Sequence, residues 1–92
     1  MVKLLRDTFT KKGISYKLLE KNESYVLYEC STEDYKYYEI FKYKIQPFPK
    51  MFENPEGYDE MEVYPSDEQF GLWAWCCSNM NRVEYIKKVK NL

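Results

Sequence analysis

Seven carboxylates crowd residues 51–68: Glu53, Glu56, Asp59, Glu60, Glu62, Asp67 and Glu68, with no Lys or Arg among them. Two of these, Asp59 and Glu62, have the residue types for general acid–base work. That chemistry needs partner groups, and the chain lacks the usual ones. It has no histidine, which removes the commonest general base and the commonest metal ligand. No nucleophile-elbow, phosphate-loop or dinucleotide-binding motif occurs in the sequence, and its three glycines are too few for a phosphate-cradling loop. The expectation is a protein that is not an enzyme, with no catalytic residues.

Cysteines are the other reactive type. Cys30, Cys76 and Cys77 match no structural zinc spacing. Neighbours on a strand point to opposite faces, so Cys76 and Cys77 cannot easily share an ion. No metal and no cofactor are expected. An odd number of cysteines with an adjacent pair suits free thiols in a reducing cytoplasm. Met1–Gly13 carries charges throughout and no apolar run of signal length. No stretch approaches the roughly 18 apolar residues of a membrane span. A cytoplasmic protein without a membrane partner is therefore expected.

Two constellations suit binding. The first is the acidic segment itself. Residues 1–50 hold ten Lys/Arg against seven Asp/Glu, a net of +3. Residues 51–68 carry −7, and residues 69–92, with four bases and one acid, return to +3. Blocks of one sign signal partners rather than folds. Glu53, Glu56, Asp59, Glu60 and Glu62, with Tyr58 and Tyr64 as apolar anchors beside Met51, Phe52 and Met61, would dock on a basic groove. A nucleic-acid-binding protein offers such a groove. The plainer reading is a solvated loop that keeps the chain soluble.

The second constellation interleaves lysines with aromatics: Lys17, Tyr38, Lys42, Lys44, Trp73 and Trp75. Such a sheet face grips single-stranded nucleic acid by stacking and charge. Its plainer reading is that the Trp pair is core and the lysines are solvated.

The elements that must position these residues are mostly strands. Val2, Leu5 and Phe9 recur at helical spacing with Gly13 as a cap, although an extended arm fits as well. Ile14–Glu20 and Ser24–Cys30 read as a hairpin turning at Lys21-Asn22-Glu23. Ser31–Asp34 is a polar turn. Lys36–Ile45 is the clearest strand, with Tyr37, Glu39, Phe41, Tyr43 and Ile45 on the more apolar face. Tyr38, Ile40, Lys42 and Lys44 make the more basic one. Pro47 and Pro49 end it. Residues 46–65 form a long, acidic, proline-containing loop with a short extended piece at Glu60–Tyr64.

After the loop two signals compete. Ser66 and Gln69 have capping-box spacing, which would start a long helix. Gly71–Cys77 is poor in helix formers and reads better as a strand. Trp73, Trp75 and Cys77 then share one face, and Leu72, Ala74 and Cys76 the other. Ser78 or Asn79 caps a last helix with the stripe Met80, Val83, Ile86 and Val89. The small Ala74 and Cys76 suggest that this helix packs on their face. The expected class is α+β: residues 1–92 as one domain, an antiparallel sheet of about four strands and a C-terminal helix across one face.

The run Tyr64-Pro65-Ser66-Asp67-Glu68-Gln69-Phe70-Gly71-Leu72-Trp73-Ala74-Trp75 follows a YYEIFKYKI strand and precedes an amphipathic helix. It resembles small uncharacterised proteins of phages and mobile elements of Bacteroidetes-type bacteria, with a YPS-[DN]-E-x-[FW]-G-x-x-[AG]-W pattern. Phe9, Gly13 and Tyr16 add to the resemblance. Cys76-Cys77 departs from it, since an aromatic or threonine is expected there. The resemblance implies a phage accessory protein, a class that includes anti-CRISPR inhibitors of host immunity.

The first functional expectation is thus a viral, non-enzymatic inhibitor acting in the host cytoplasm. It would bind a host protein or nucleoprotein, such as a CRISPR effector, through the acidic loop. An alternative is a small RNA- or single-strand-binding module using the lysine–aromatic face. Another is a homodimeric structural or assembly accessory protein whose Trp-bearing face forms the dimer.

Overall fold

A computed structural model describes residues Met1–Leu92. The protein is α+β, with a five-stranded antiparallel sheet and a single C-terminal helix. A two-residue strand, β1 (Val2–Lys3), comes first. The sheet strands that follow are β2 (Thr8–Lys11), β3 (Ile14–Lys21), β4 (Tyr25–Ser31) and β5 (Lys36–Lys42). Its extra strand is β2, which replaces the helical turn that Val2, Leu5 and Phe9 suggested. Lys12 (φ 52°) and Gly13 (φ 79°) both take left-handed backbone. A two-residue hairpin needs that pair of conformations, so Gly13 turns a hairpin instead of capping a helix.

Side chains close the next two turns. Asn22 Oδ1 accepts from the Ser24 and Tyr25 N–H groups at 2.8 and 2.9 Å. Thr32 Oγ1 accepts from Asp34 and Tyr35 at 3.2 Å. Both offer the backbone a local alternative to the ladder.

β5 ends at Lys42, short of the expected Ile45. Its neighbour β4 begins at Tyr25, so beyond Tyr43 the chain has no partner on that side. It crosses instead to a second, three-stranded sheet. There β6 (Ile45–Pro47) pairs antiparallel with β7 (Glu60–Glu62), which pairs in parallel with β1. The expected 46–65 loop is therefore partly sheet at both ends.

Both competing signals of the C-terminal third are satisfied in turn. The Gln69 side chain accepts from the Ser66 N–H at 2.9 Å, and Asp67–Gln69 forms one 3-10 turn. Gly71, at φ 94°, then reverses the chain into the last sheet strand, β8 (Ala74–Cys77). Helix α1 (Met80–Val89) follows, and Asn79 Oδ1 caps it by accepting from Arg82 N–H at 2.9 Å.

The helix does not cover the face that the sequence suggested. Val83 of α1 packs on Tyr25, Leu27, Ile40 and Cys77, with Tyr38, Trp75 and Ile86 around them. Ala74 lies on the other face with Val26, Tyr28, Cys30, Phe41 and Trp73. The small residue makes room for rings rather than for the helix. Tyr64 fills this aromatic layer, with ring centroids 4.9 Å from Phe41 and 5.2 Å from Tyr28. The second sheet and residues 63–70 cover part of that face. No helix is long and apolar enough to cross a membrane.

Candidate functional site

Between β6 and β7 the chain makes an excursion over residues 48–59. Its neck is closed by Phe48 N–H donating to Asp59 C=O at 3.0 Å. Asn54-Pro55-Glu56-Gly57 is a type I turn sequence, with Asn first, Pro second and Gly fourth. Gly57 N–H donates to Asn54 C=O at 3.1 Å, as that turn requires. Asn54 then clasps the returning strand: its Oδ1 accepts from Tyr58 N–H at 2.8 Å and its Nδ2 donates to Tyr58 C=O at 2.7 Å.

Inside the excursion three rings meet. Phe48 stacks on Tyr58 at 6.0 Å and meets Phe52 edge-on at 6.4 Å. The Lys3 ammonium lies 5.8 Å from the Phe48 ring. This small private core orders a segment whose charges would otherwise repel it into an extended coil. Met51 is 88% exposed and Phe52 54% exposed, and Glu53, Glu56 and Glu60 are exposed on or beside the same excursion. The result is an ordered, acidic knob that exposes two apolar side chains.

Of the expected partner-binding set, Glu53, Glu56 and Glu60 lie exposed on or beside this knob. Asp59 is exposed too, but it pairs with the N-terminal ammonium at 2.7 Å, which holds its carboxyl below the usual range. Tyr58 is half-buried and serves the knob's interior.

Glu62 and Tyr64 point inward, and this corrects the expectation for both. The Glu62 residue is 3% exposed. Its carboxylate accepts from Leu5 N–H at 2.7 Å, from Lys21 Nζ at 2.8 Å and from Tyr43 O–H at 2.6 Å. Burial pushes its pKa up, but these three donors outweigh burial and leave it below the ordinary value. The Tyr64 hydroxyl donates to the Glu39 carboxylate. Burial and that carboxylate push the phenol far up.

The lysine–aromatic face does not assemble. Trp73 is buried with Phe41 in the aromatic layer, and Lys44 Nζ caps its ring at 4.3 Å. Trp75 is half-buried on the helix face, where Lys90 Nζ lies 5.4 Å from its ring. The two tryptophans are thus on opposite faces of the sheet. Strand alternation failed because residues 71–73 are a turn, and the pleat starts only at Ala74. Tyr38 packs beside the helix, and Lys17 and Lys42 are exposed. Comparison of the chain with protein-family models, with curated proteins and with solved structures finds no match in any of the three.

Cys76 is exposed, while Cys30 and Cys77 are buried, and all three are free thiols. Burial raises the thiol pKa at each, to about 12 at Cys30. That favours the unreactive thiol form.

Sequence reasoning missed the Asn54 clasp and the Phe48–Phe52–Tyr58 core. The Asn-Pro-Glu-Gly turn was the available signal for the clasp. Nothing local marked Glu62 as buried, because its donors come from residues 5, 21 and 43.

Proposed function

We propose that the protein is a non-enzymatic binding protein that docks its acidic knob on a basic surface of a protein partner. The observation that carries this is the ordered excursion 48–59, which exposes Met51 and Phe52 together with Glu53 and Glu56 and is followed directly by the exposed Glu60. Exposed apolar residues on a rigid turn enter a partner's pocket at little entropic cost, and the carboxylates steer the approach. Basic grooves are built to hold nucleic acid, so the knob would compete with RNA or DNA for one. Taken with the resemblance to phage and mobile-element proteins, the partner is a host nucleoprotein, with inhibition as the outcome.

The test is affinity capture from bacterial lysate, with and without nuclease, using the wild type and two variants. In Glu53→Gln/Glu56→Gln/Glu60→Gln the bound partner should fall, most clearly at low salt. In Met51→Ser/Phe52→Ser it should dissociate faster. A partner retained equally by both variants would refute the proposal.

A further inference from the structure

A cleft of about 440 Å³ lies between the two sheets, and Lys3 at its edge also touches the knob's Phe48 ring. It forms where the second sheet and residues 63–70 stop short of the β2–β3 end of the aromatic face. Phe9, Tyr16, Tyr64 and Phe70 line it, and each is half-buried. Phe9 and Tyr16 stack at 4.4 Å, and Tyr64 meets both edge-on at 5.7 and 6.0 Å. This floor is fixed by packing, so it would not have to be organised on binding.

Charged residues of both signs stand around the floor. Lys3, Arg6 and Lys11 line the cleft, and none forms an ion pair. Three carboxylates line it as well: Glu39 from β5, Asp67 from the 3-10 turn, and Glu62 from β7, the last already paired with Lys21. Glu39 accepts the Tyr64 hydroxyl and forms no ion pair, although Lys11 acts on it through space. A carboxylate has two oxygens, so acceptor capacity remains. Burial pushes the Glu39 carboxyl above its ordinary value, against the opposing pull of the Tyr64 hydroxyl and Lys11.

Cavities of this size with an apolar lining and a few convergent polar groups are where small ligands bind. We propose that this cleft binds a nucleoside monophosphate, with its base against the Phe9–Tyr16–Tyr64 floor, the N–H groups on the base's edge donating to Glu39, and its phosphate on Arg6 and Lys3. Each part answers one feature of the cleft. A dianionic phosphate suits several unpaired cations better than a single carboxylate does, and Arg binds it through a planar fork. A flat π-system suits the aromatic floor. Guanine offers two adjacent N–H donors to one carboxylate, so GMP is the tightest of the four.

The test is a two-dimensional NMR titration of the full chain with GMP, AMP, CMP and UMP. Inorganic phosphate and tryptophan serve as the phosphate-only and aromatic-carboxylate arms. The expected result is shifts confined to residues around Leu5, Phe9, Tyr16 and Phe70, strongest for GMP. Lys3→Ala/Arg6→Ala should weaken GMP about tenfold or more. Glu39→Gln should abolish the preference for GMP while leaving phosphate-dependent binding. The same spectra report whether each variant folds. The knob variant Glu53→Gln/Glu56→Gln/Glu60→Gln should bind GMP normally, which separates this site from the knob. The proposal is overturned if no nucleotide shifts the cleft residues, if phosphate or tryptophan binds as well as GMP, or if both cleft variants bind all four nucleotides like the wild type.

Discussion

Glu62→Gln is the substitution that most directly tests how the two sheets are joined. The carboxylate takes one donor from each of three places: Leu5 beside the second sheet, Lys21 at the end of β3, and Tyr43 just past β5. Glutamine keeps one acceptor oxygen but loses the charge and presents an N–H₂ to a donor. Removing one member of a buried ion pair costs about 3–5 kcal/mol when the survivor stays buried. Here the Lys21 side chain is 25% exposed and can regain water. The loss then falls nearer one orphaned neutral donor plus part of the pair, about 2–3 kcal/mol. For a chain of this size that lowers the melting temperature by roughly 10–20 °C.

pH gives a second readout. The folded-state pKa of Glu62 lies below its ordinary value of 4.5. Its ionised form therefore contributes stability above about pH 4.5, and the contribution fades as pH falls through the folded value. Wild type should lose stability below that pH more steeply than Glu62→Gln, so the two curves converge in acid. Urea unfolding followed by tryptophan fluorescence, repeated from neutral to acid pH, measures both effects, because Trp73 is buried in the aromatic layer. A loss under about 0.5 kcal/mol, the range of ordinary surface substitutions, would refute the argument, as would parallel pH curves. In a double-mutant cycle Glu62→Gln and Tyr43→Phe should be non-additive.

Glu39→Gln should behave in the opposite sense. Its carboxyl is raised by burial, so the ionised form disfavours the fold above its folded-state pKa, and the variant should gain stability at neutral pH and lose that advantage in acid. Asn54→Ala removes both clasp bonds to Tyr58. Amide exchange should rise across residues 48–59 with a global cost of only about 1 kcal/mol. Asn79→Ala removes the α1 cap and should cost about 1 kcal/mol, read by chemical denaturation.

Much of the main sheet was written locally. The β3–β4–β5 meander follows from β-branched and aromatic runs broken by Asn22 and Thr32, whose side chains close the turns themselves. The capping box at Ser66 and the cap at Asn79 were equally local, as was the choice of strand over helix for residues 74–77. Such features depend on neighbours within a few positions, so the sequence alone displays them.

Which side of each strand faces what was not local. Alternation says that Ala74 and Trp75 point to opposite faces, but it does not say which face receives the helix. That depended on whether the aromatic layer around Tyr64 or the helix stripe filled the space beside Ala74. Glu62 and Tyr64 show the same limit more sharply. Within the acidic segment they look like the other carboxylates and the other tyrosine. Lys21, Tyr43, Leu5 and Glu39 draw them inward, and all four lie at least 19 residues from their partners. A carboxylate becomes structural only when distant donors converge on it, and only the folded chain brings them together.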